Sequence, residues 1–239
     1  MTDNMLDPEF HITTPRLHLF YLETANDSHM SFRVRLANSP EITAMAAQFG
    51  APPQPQTIEA ARTALQAADQ RLEKTGTGRY IVSLRKPDLA FSEEGEDREY
   101  IGIVSMQLKR YPDMQCPIIP DLGFVFHADY HGKGFASEAC EALIQHFKET
   151  RGHERFAGFT HPQNVNSQKL FTRLGFENRG TMDVAGVVGK DGSAANMAVW
   201  IKGVDPDTDL SELGIGPGTG EVSKVGRDGP LDGVNKLAE

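Results

Sequence analysis

Residues 121–139 constrain the fold of this chain most, because they pass from an apolar strand through a glycine turn into an amphipathic helix. The segment 122–126 is short, apolar and aromatic around Gly123, which is typical of a buried strand. From Ala136 onward, apolar residues recur at helical spacing and predict a helix with one buried face. Between them, the glycines of residues 131–136 favour a tight turn whose bare amides lie at the positive end of the helix. Such a turn is suited to an anion.

Two established nucleotide-binding patterns fit this turn less well. The P-loop needs Gly-Lys followed by Ser or Thr, but Gly134 follows Lys133, so no hydroxyl is placed for magnesium. The dinucleotide fingerprint nearly fits from Gly132 to Ser137. It requires its glycines directly at a strand end, however, and residues 127–131 intervene here. The turn therefore predicts a phosphate site only if a second motif supports it.

Composition limits the partners that we expect. The chain has 239 residues, 39% of them hydrophobic, and a net charge of -9, which favours one large domain and argues against nucleic-acid or anionic-membrane partners. Its two cysteines, Cys116 and Cys140, suggest neither a metal site nor a disulfide scaffold. Because no signal peptide or membrane-spanning run is evident, we expect a soluble cytoplasmic protein whose partners are small molecules or proteins.

Hydrophobic periodicity gives an ordered set of predicted elements. Strands are predicted at residues 16–22, 80–84, 100–108, 122–126, 155–160, 176–188 and 196–202, and helices at 27–38, 60–74, 136–149 and 166–174. A helix between the fourth and fifth strands predicts that these two run parallel. The glycine-rich, charged end of the chain predicts a flexible tail. We therefore expect an N-terminal extension at 1–13, a domain at 14–204 and a tail at 205–239.

A second block, residues 164–176, strengthens the interpretation of the turn. It reads Asn-Val-Asn-Ser-Gln-Lys-Leu-Phe-Thr-Arg-Leu-Gly-Phe. Together the two blocks resemble the GNAT superfamily of acyl-CoA-dependent N-acetyltransferases over residues 14–202, in particular the branch that includes ribosomal-protein N-terminal acetyltransferases. Residues 131–136 are similar to that family's Gln/Arg-x-x-Gly-x-Gly/Ala loop, with His131 at its first position. Residues 164–176 are similar to its Asn-x-x-Ser-x-x-Leu-Tyr-x-x-x-Gly-Phe segment, with Phe171 at the tyrosine.

The resemblance implies an α/β (α+β) fold with a mixed, largely antiparallel sheet, a parallel central strand pair and helices on both faces. It implies acetyl-CoA as co-substrate, no metal, an amine acceptor that is a protein N-terminus or a small molecule, and allows a homodimer. The implied cofactor-binding residues lie along β-strand, turn and second block: Phe124, Val125, Phe126, His131, Gly132, Lys133, Gly134, Phe135, Ala136, Asn164 and Ser167. Asn164 would bind the pantetheine arm, and Ser167 would lie near the thiol.

Several roles remain open from sequence. Asn164 and Ser167 are also ordinary residues for the start of a helix, and the aromatic strand residues also suit plain core packing. Asp121 is our candidate general base, although a solvated aspartate at a strand start is an equally good interpretation. Phe171 cannot donate a proton, so either Ser167 protonates the leaving thiolate or positioning suffices. Phe171 also favours an alternative, a catalytically silent acyl-CoA-binding or regulatory domain.

Overall fold

The computed structural model describes residues 7, 9–48, 55–95, 97–111, 114–187 and 193–218. Its strands are β1 (His11–Thr13), β2 (Leu17–Tyr21), β3 (Gly78–Leu84), β4 (Tyr100–Gln107), β5 (Asp121–Phe126), β6 (Phe156–Thr160), β7 (Glu177–Val184) and β8 (Ala195–Lys202). Its helices are α1 (Asp27–Ala37), α2 (Pro40–Gln48), α3 (Ile58–Thr75), α4 (Phe135–Arg151) and α5 (Val165–Arg173). Short 3-10 helices lie at Phe91–Glu93, Ala128–Tyr130 and Leu210–Leu213.

All eight strands form one sheet in the order β1-β2-β3-β4-β5-β6-β8-β7. Every neighbouring pair is antiparallel except β5 and β6, which are joined by α4 and run parallel. A parallel pair needs such a crossover connection, whereas the antiparallel pairs can be joined by turns. The predicted fold class is therefore confirmed.

Two layers of helices cover the sheet. On one face, α4 and α5 pack against the central strands through Leu143, Phe147, Leu170 and Phe171, which meet Phe124 and Phe126 of β5. On the other face there are two separate clusters. The first, here called the α1–α3 core, joins Met30, Phe32 and Leu65 to Ile81, Ile103 and Val125. The second, here called the C-terminal core, joins Ala157, Phe159, Val199 and Ile201 to Leu210, Leu213 and Ile215.

Local sequence explains where the long helices begin and end. Thr57 accepts a hydrogen bond from the amide of Ala60 and so caps the start of α3. Gly76 ends α3 and Gly152 ends α4, both in the left-handed conformation that glycine adopts without strain. In β6, a Cβ atom at Gly158 would clash with the ring of Phe171, so α5 packs directly on the strand backbone there.

The structure differs from the sequence prediction at both ends and in one helix. Residues 11–13, placed in the N-terminal extension, form β1 at the edge of the sheet. The sequence analysis predicts no helix between residues 38 and 60, but α2 forms there, beginning at a proline, which is well accommodated in a first helical turn. Residues 205–218, placed in the flexible tail, pack into the C-terminal core. The division into domain and extensions otherwise stays a prediction.

Some expectations fall outside the described residues. The predicted strand at 176–188 ends at residue 188, which the structure does not describe. Most of the predicted tail lies in residues 219–239, which it does not describe either. Within the described residues, no helix combines the length and the apolar character needed to cross a membrane. The cytoplasmic location stays a prediction.

Candidate active site

The glycine turn ends in an uncapped helix start. Gly132 and Gly134 have φ values of +72° and +80°, which strain any residue with a side chain, and Gly134 is the N-cap of α4 without a side-chain hydrogen bond. Among the described residues, no group accepts a hydrogen bond from the backbone amides of residues 132–137. These amides, the partial positive charge of the helix start and the ammonium of Lys133 together form a site suited to a phosphate group.

His131 fixes the turn to the end of β5. Its Nε2 lies 3.0 Å from the carbonyl oxygen of Phe126, so the Nε2–H tautomer donates to that carbonyl. His131 stands where the family usually has Gln or Arg, and its side chain holds the turn in position. The backbone amides remain free for the anion.

Arg16 is a residue of this site that the sequence did not reveal. Its Nη1 donates to the carbonyl of Lys133 at 3.0 Å, its Nε donates to Glu138 at 2.6 Å, and its guanidinium lies 4.5 Å from the centre of the Phe135 ring. Burial raises the pKa of the Glu138 carboxyl, but hydrogen bonds from Thr14 and Arg16 outweigh it and lower the pKa. Through these hydrogen bonds Arg16 links the glycine turn to the start of β2. It also adds a half-exposed positive charge beside the amides of the turn.

The parallel strands β5 and β6 separate shortly after the start of β5. β5 and β6 pair only between Asp121 and Ala157 and between Leu122 and Gly158, so the rest of β5 has an open edge toward β6. The side chains of Phe124, Val125 and Phe126 are buried in the cores on the two faces. The packing interpretation of these side chains is confirmed, while their backbone lies at an edge suited to an extended ligand and their role in cofactor binding stays a prediction.

The start of α5 contributes two buried polar side chains near the end of β6. Asn164 caps the helix by accepting a hydrogen bond from the amide of Ser167 at 3.1 Å, and its Nδ2 lies 3.7 Å from the sulfur of Met45 in α2. The Ser167 hydroxyl is buried and has no hydrogen-bond partner among the described residues, and the same is true of the Thr160 hydroxyl. Buried hydroxyls are rarely left unbonded, so both are available to a ligand.

Phe171 has a packing role. Its ring is 1% exposed, stacks on Trp200 with 5.8 Å between centroids, and also contacts Phe124 and Phe176. A proton donor is therefore absent at this position, and the ring fills the space above Gly158.

Asp121 does not have the environment that we expected of a general base. It lies at the start of β5, where the strands are still paired, and is 2% exposed. Both carboxylate oxygens accept hydrogen bonds from Arg110, one of them from Nε at 3.2 Å, and Arg110 also donates to the carbonyl of Val187 at 3.1 Å. Asp121 is therefore held in a buried ion pair and is not a solvated aspartate, and this environment gives no support to its assignment as general base.

A shallow cleft of about 340 Å³ lies beside the turn, between α1 and the 3-10 helix Ala128–Tyr130. The charged groups that line this cleft are of both signs. The Tyr130 hydroxyl donates a hydrogen bond to Glu99, and Nδ1 of His127 lies 3.4 Å from Oδ2 of Asp129. The hydrogen bond to Glu99 raises the pKa of Tyr130 to about 12. In the part of the chain that the structure covers, no group of three or more His, Cys, Asp or Glu side chains is arranged to hold a metal ion.

Comparison with known proteins identifies the class. Residues 16–177 match the acetyltransferase (GNAT) domain family. A proposed ribosomal-protein-serine acetyltransferase from Vibrio cholerae has a similar structure, with a TM-score of 0.59, 21% identity, and coverage of 82% of this chain and 98% of that one. RimL, a ribosomal L7/L12 α-N-protein acetyltransferase in complex with coenzyme A, gives a TM-score of 0.56 at 17% identity, covering 83% and 100%.

One curated relative matches part of the sequence. The uncharacterized N-acetyltransferase YnaD of Bacillus subtilis is 34% identical over 61 residues, which make up 25% of this chain and 35% of that protein. The family match spans most of this chain, so the chain belongs to the acetyltransferase (GNAT) domain family.

Proposed function

We propose that this protein transfers an acetyl group from acetyl-CoA to a primary amine, on a protein N-terminus or a small molecule, by direct attack in a ternary complex. The observation that carries the proposal is the run of amides at residues 132–137, which has no hydrogen-bond acceptor within the described part of the chain and meets the open edge of β5. Acetyl-CoA combines a pyrophosphate, which suits these amides, with an extended amide-containing arm, which suits a strand edge.

The residues around the strand separation have distinct tasks in this proposal. Gly132 to Ala136, with Lys133 and Arg16, would hold the pyrophosphate, and His131 would keep the turn in place. The backbone of Phe124 to Phe126 would align the arm, with Asn164 beside it. The Ser167 hydroxyl, buried and unbonded, is the proposed donor of a proton to the leaving sulfur.

Acetyl-CoA supplies the thioester carbonyl. In the transfer, the amine nitrogen forms the new bond to that carbon, the carbon–sulfur bond breaks, the amine loses a proton and the sulfur gains one. Because Asp121 is engaged by Arg110, we do not retain it as the base that accepts the amine proton. Water at the strand opening is the proposed acceptor. Correct placement of the two reactants lowers the barrier of such a transfer by up to about 7–11 kcal/mol.

The test is binding of acetyl-CoA by titration calorimetry, with variants at the two ends of α4. Gly134→Glu introduces a negative charge and a side chain where the pyrophosphate would lie, and should abolish binding without unfolding the domain. Gly152→Glu, at the other left-handed glycine of the same helix, is the control and should bind normally. Equal affinity in the two variants would remove the cofactor site from this turn.

A second candidate function has one observation in its favour. Phe171 stands where the family usually has a tyrosine, which fits a catalytically silent acyl-CoA-binding or regulatory domain. Release of free thiol from acetyl-CoA, followed with a panel of amines and peptides, separates the two. Tight acetyl-CoA binding without amine-dependent release from any of them would support the silent domain.

A further inference from the structure

Thr160 ends β6 at the place where the sheet opens. Among the described residues, pairing between β5 and β6 stops at Leu122 and Gly158. On its other side, Thr160 lies opposite Ala198 of β8. Continuing the register of the paired residues puts Thr160 level with Phe124, in the segment whose open edge is proposed to carry the acyl-CoA arm. The strand separation therefore gives the arm a path that passes next to Thr160.

The side chain of Thr160 points to the face of the sheet that α5 covers. Side chains alternate along a strand, so Thr160 shares a face with Gly158, which lies under the ring of Phe171. Ser167 precedes Phe171 by one helical turn, about 6 Å, and Thr160 follows Gly158 by about the same distance along the strand. Because the short loop 161–164 returns the chain over β6, both displacements have the same direction. Ser167 therefore lies above Thr160.

The hydroxyls of Thr160 and Ser167 are both buried and both unbonded. Each residue is 1% exposed, and neither hydroxyl has a hydrogen-bond partner within the described ranges, so the two do not bond to each other. Asn164 accepts a hydrogen bond from the amide of Ser167, which leaves the hydroxyl available as a donor. An unbonded buried hydroxyl costs about 1–3 kcal/mol. Two such donors on facing elements favour a shared acceptor atom.

The surroundings of the two hydroxyls indicate what kind of atom fits between them. Phe171 packs against Phe124 and Trp200, so the hydroxyls adjoin a cluster of aromatic rings. A phosphate or carboxylate in apolar surroundings needs a cation or several amides, which the glycine turn offers and these two neutral donors do not. A large atom with little charge in its resting state, such as the sulfur of a thioester, fits this environment.

We propose that Thr160 and Ser167 bind the sulfur atom of acetyl-CoA, at a place called the sulfur site below, and that Thr160 is a second hydrogen-bond donor to the leaving sulfur. The inference rests on the proposed function, which aligns the arm along β5 and makes Ser167 the proton donor. A thioether-like sulfur accepts hydrogen bonds weakly, whereas an ionised acceptor binds them strongly. The Thr160 hydrogen bond therefore strengthens as the carbon–sulfur bond breaks, which raises kcat.

The proton balance of the transfer closes with these two hydroxyls and water. The amine nitrogen forms its bond to the carbonyl carbon and loses a proton to water. The carbon–sulfur bond then breaks, and its electron pair passes to the sulfur, which accepts the hydrogen bond of Thr160. Ser167 gives its proton to the sulfur and regains one from the water. Thr160 keeps its own proton throughout.

The first test is the kinetics of Thr160→Val, which removes the hydroxyl and keeps the shape of the side chain. We expect kcat to fall about 10–100-fold through loss of one hydrogen bond to a charged atom, with KM for acetyl-CoA little changed. Thr160→Ser keeps a hydroxyl and should recover most of kcat. Thr181→Val is the matched control, because Thr181 lies opposite the same Ala198 but on the exposed edge strand β7. Its kcat should equal that of the wild type.

The same variant distinguishes chemistry from packing. Because the Thr160 hydroxyl has no partner in the part of the chain that the structure covers, Thr160→Val should not lower Tm. A hydroxyl that only holds a structural water would behave in the opposite way, since Thr160→Val would then lower Tm and leave kcat normal. That result would overturn the sulfur site.

The second test locates the sulfur without turnover. Thr160→Cys is incubated with coenzyme A disulfide, which exchanges with the cysteine thiolate to form a mixed disulfide and release one coenzyme A thiolate. Because bound cofactor raises the effective concentration, we expect labelling at residue 160 at least about tenfold faster than with glutathione disulfide, and blocked by excess acetyl-CoA. Ser83→Cys, at a buried unbonded hydroxyl of β3, is the control and should show neither effect. Peptide mapping separates these sites from Cys116 and Cys140.

The outcomes separate this inference from the proposed function. Normal kcat in Thr160→Val overturns the donor role, and absence of labelling in Thr160→Cys overturns contact with the sulfur. In both cases amine-dependent thiol release by the wild type leaves the acetyltransferase intact. Labelling without any amine-dependent release supports the sulfur site in a catalytically silent domain. A wild type that does not bind acetyl-CoA in the calorimeter removes both proposals.

Discussion

Arg16 shows how a residue far away in sequence completes a local motif. The glycine turn is readable from adjacent residues because its conformation is set by Gly132 and Gly134. The contacts of Arg16 with Lys133 and Glu138 join β2 to α4 across more than a hundred residues, and no spacing in the sequence indicates them.

Replacing Arg16 should weaken cofactor binding. Arg16→Gln removes the charge and the fork that holds Glu138 and the Lys133 carbonyl, so we expect KM for acetyl-CoA to rise about tenfold with little change in kcat. Steady-state kinetics measures this. Arg16→Lys keeps the charge but loses the guanidinium fork. Its KM for acetyl-CoA should therefore lie between those of the wild type and Arg16→Gln. Unchanged KM in both variants would exclude Arg16 from the site.

The Ser167 hydroxyl allows a test that separates catalysis from stability. Because it has no partner among the described residues, Ser167→Ala should leave the free energy of unfolding nearly unchanged. If it protonates the leaving sulfur, kcat should fall about 100-fold with KM for acetyl-CoA unaltered. Ser83→Ala, at another buried unbonded hydroxyl in β3, is the control and should have normal kcat. Equal kcat in the two variants would remove Ser167 from the chemistry.

At the scale of elements, the contact of α5 with β6 determines the surroundings of Phe171. The ring lies directly over Gly158 and among three other aromatic rings, so it is enclosed on several sides. Sequence alone identified phenylalanine at this position. Its surroundings come from a strand, a helix and β8, which are distant along the chain.

Restoring the tyrosine should therefore harm the protein. We expect Phe171→Tyr to reduce the free energy of unfolding by about 1–3 kcal/mol, through overpacking and a buried hydroxyl, without raising kcat. Chemical denaturation and thiol-release assays measure the two effects. Phe10→Tyr is a control, since that ring is only partly buried and stacks on Tyr21. A stable variant with higher kcat would show that Phe171 limits catalysis.

At the scale of the whole molecule, the sequence predicted the sheet and its parallel strand pair. It did not predict that residues 205–218 pack on the second face of the sheet. Alternating apolar residues and one crossover helix are enough to specify the strands. Residues 205–218 are rich in glycine and charge, and only Leu210, Leu213 and Ile215 show that they belong to a core.

The packed C-terminal segment should contribute measurably to stability. Leu213 is 4% exposed, so Leu213→Ala should lower the free energy of unfolding by about 3 kcal/mol through lost burial and a cavity. Ile118→Ala is the control: Ile118 donates its amide to the Leu213 carbonyl, but its side chain is 49% exposed and should cost less than about 1 kcal/mol. Similar small effects in both would mean that this segment is not part of the core in solution.

The central claim is that acetyl-CoA lies on the amides of residues 132–137 and along the open edge of β5. Hydrogen–deuterium exchange with and without acetyl-CoA tests it most directly, because these amides have no partners in the portion of the protein that the structure describes and should exchange fast in the free protein. We predict strong protection of residues 132–137 and of residues 123–126 when acetyl-CoA is bound. Tight binding that leaves the exchange of residues 132–137 unchanged would contradict the claim.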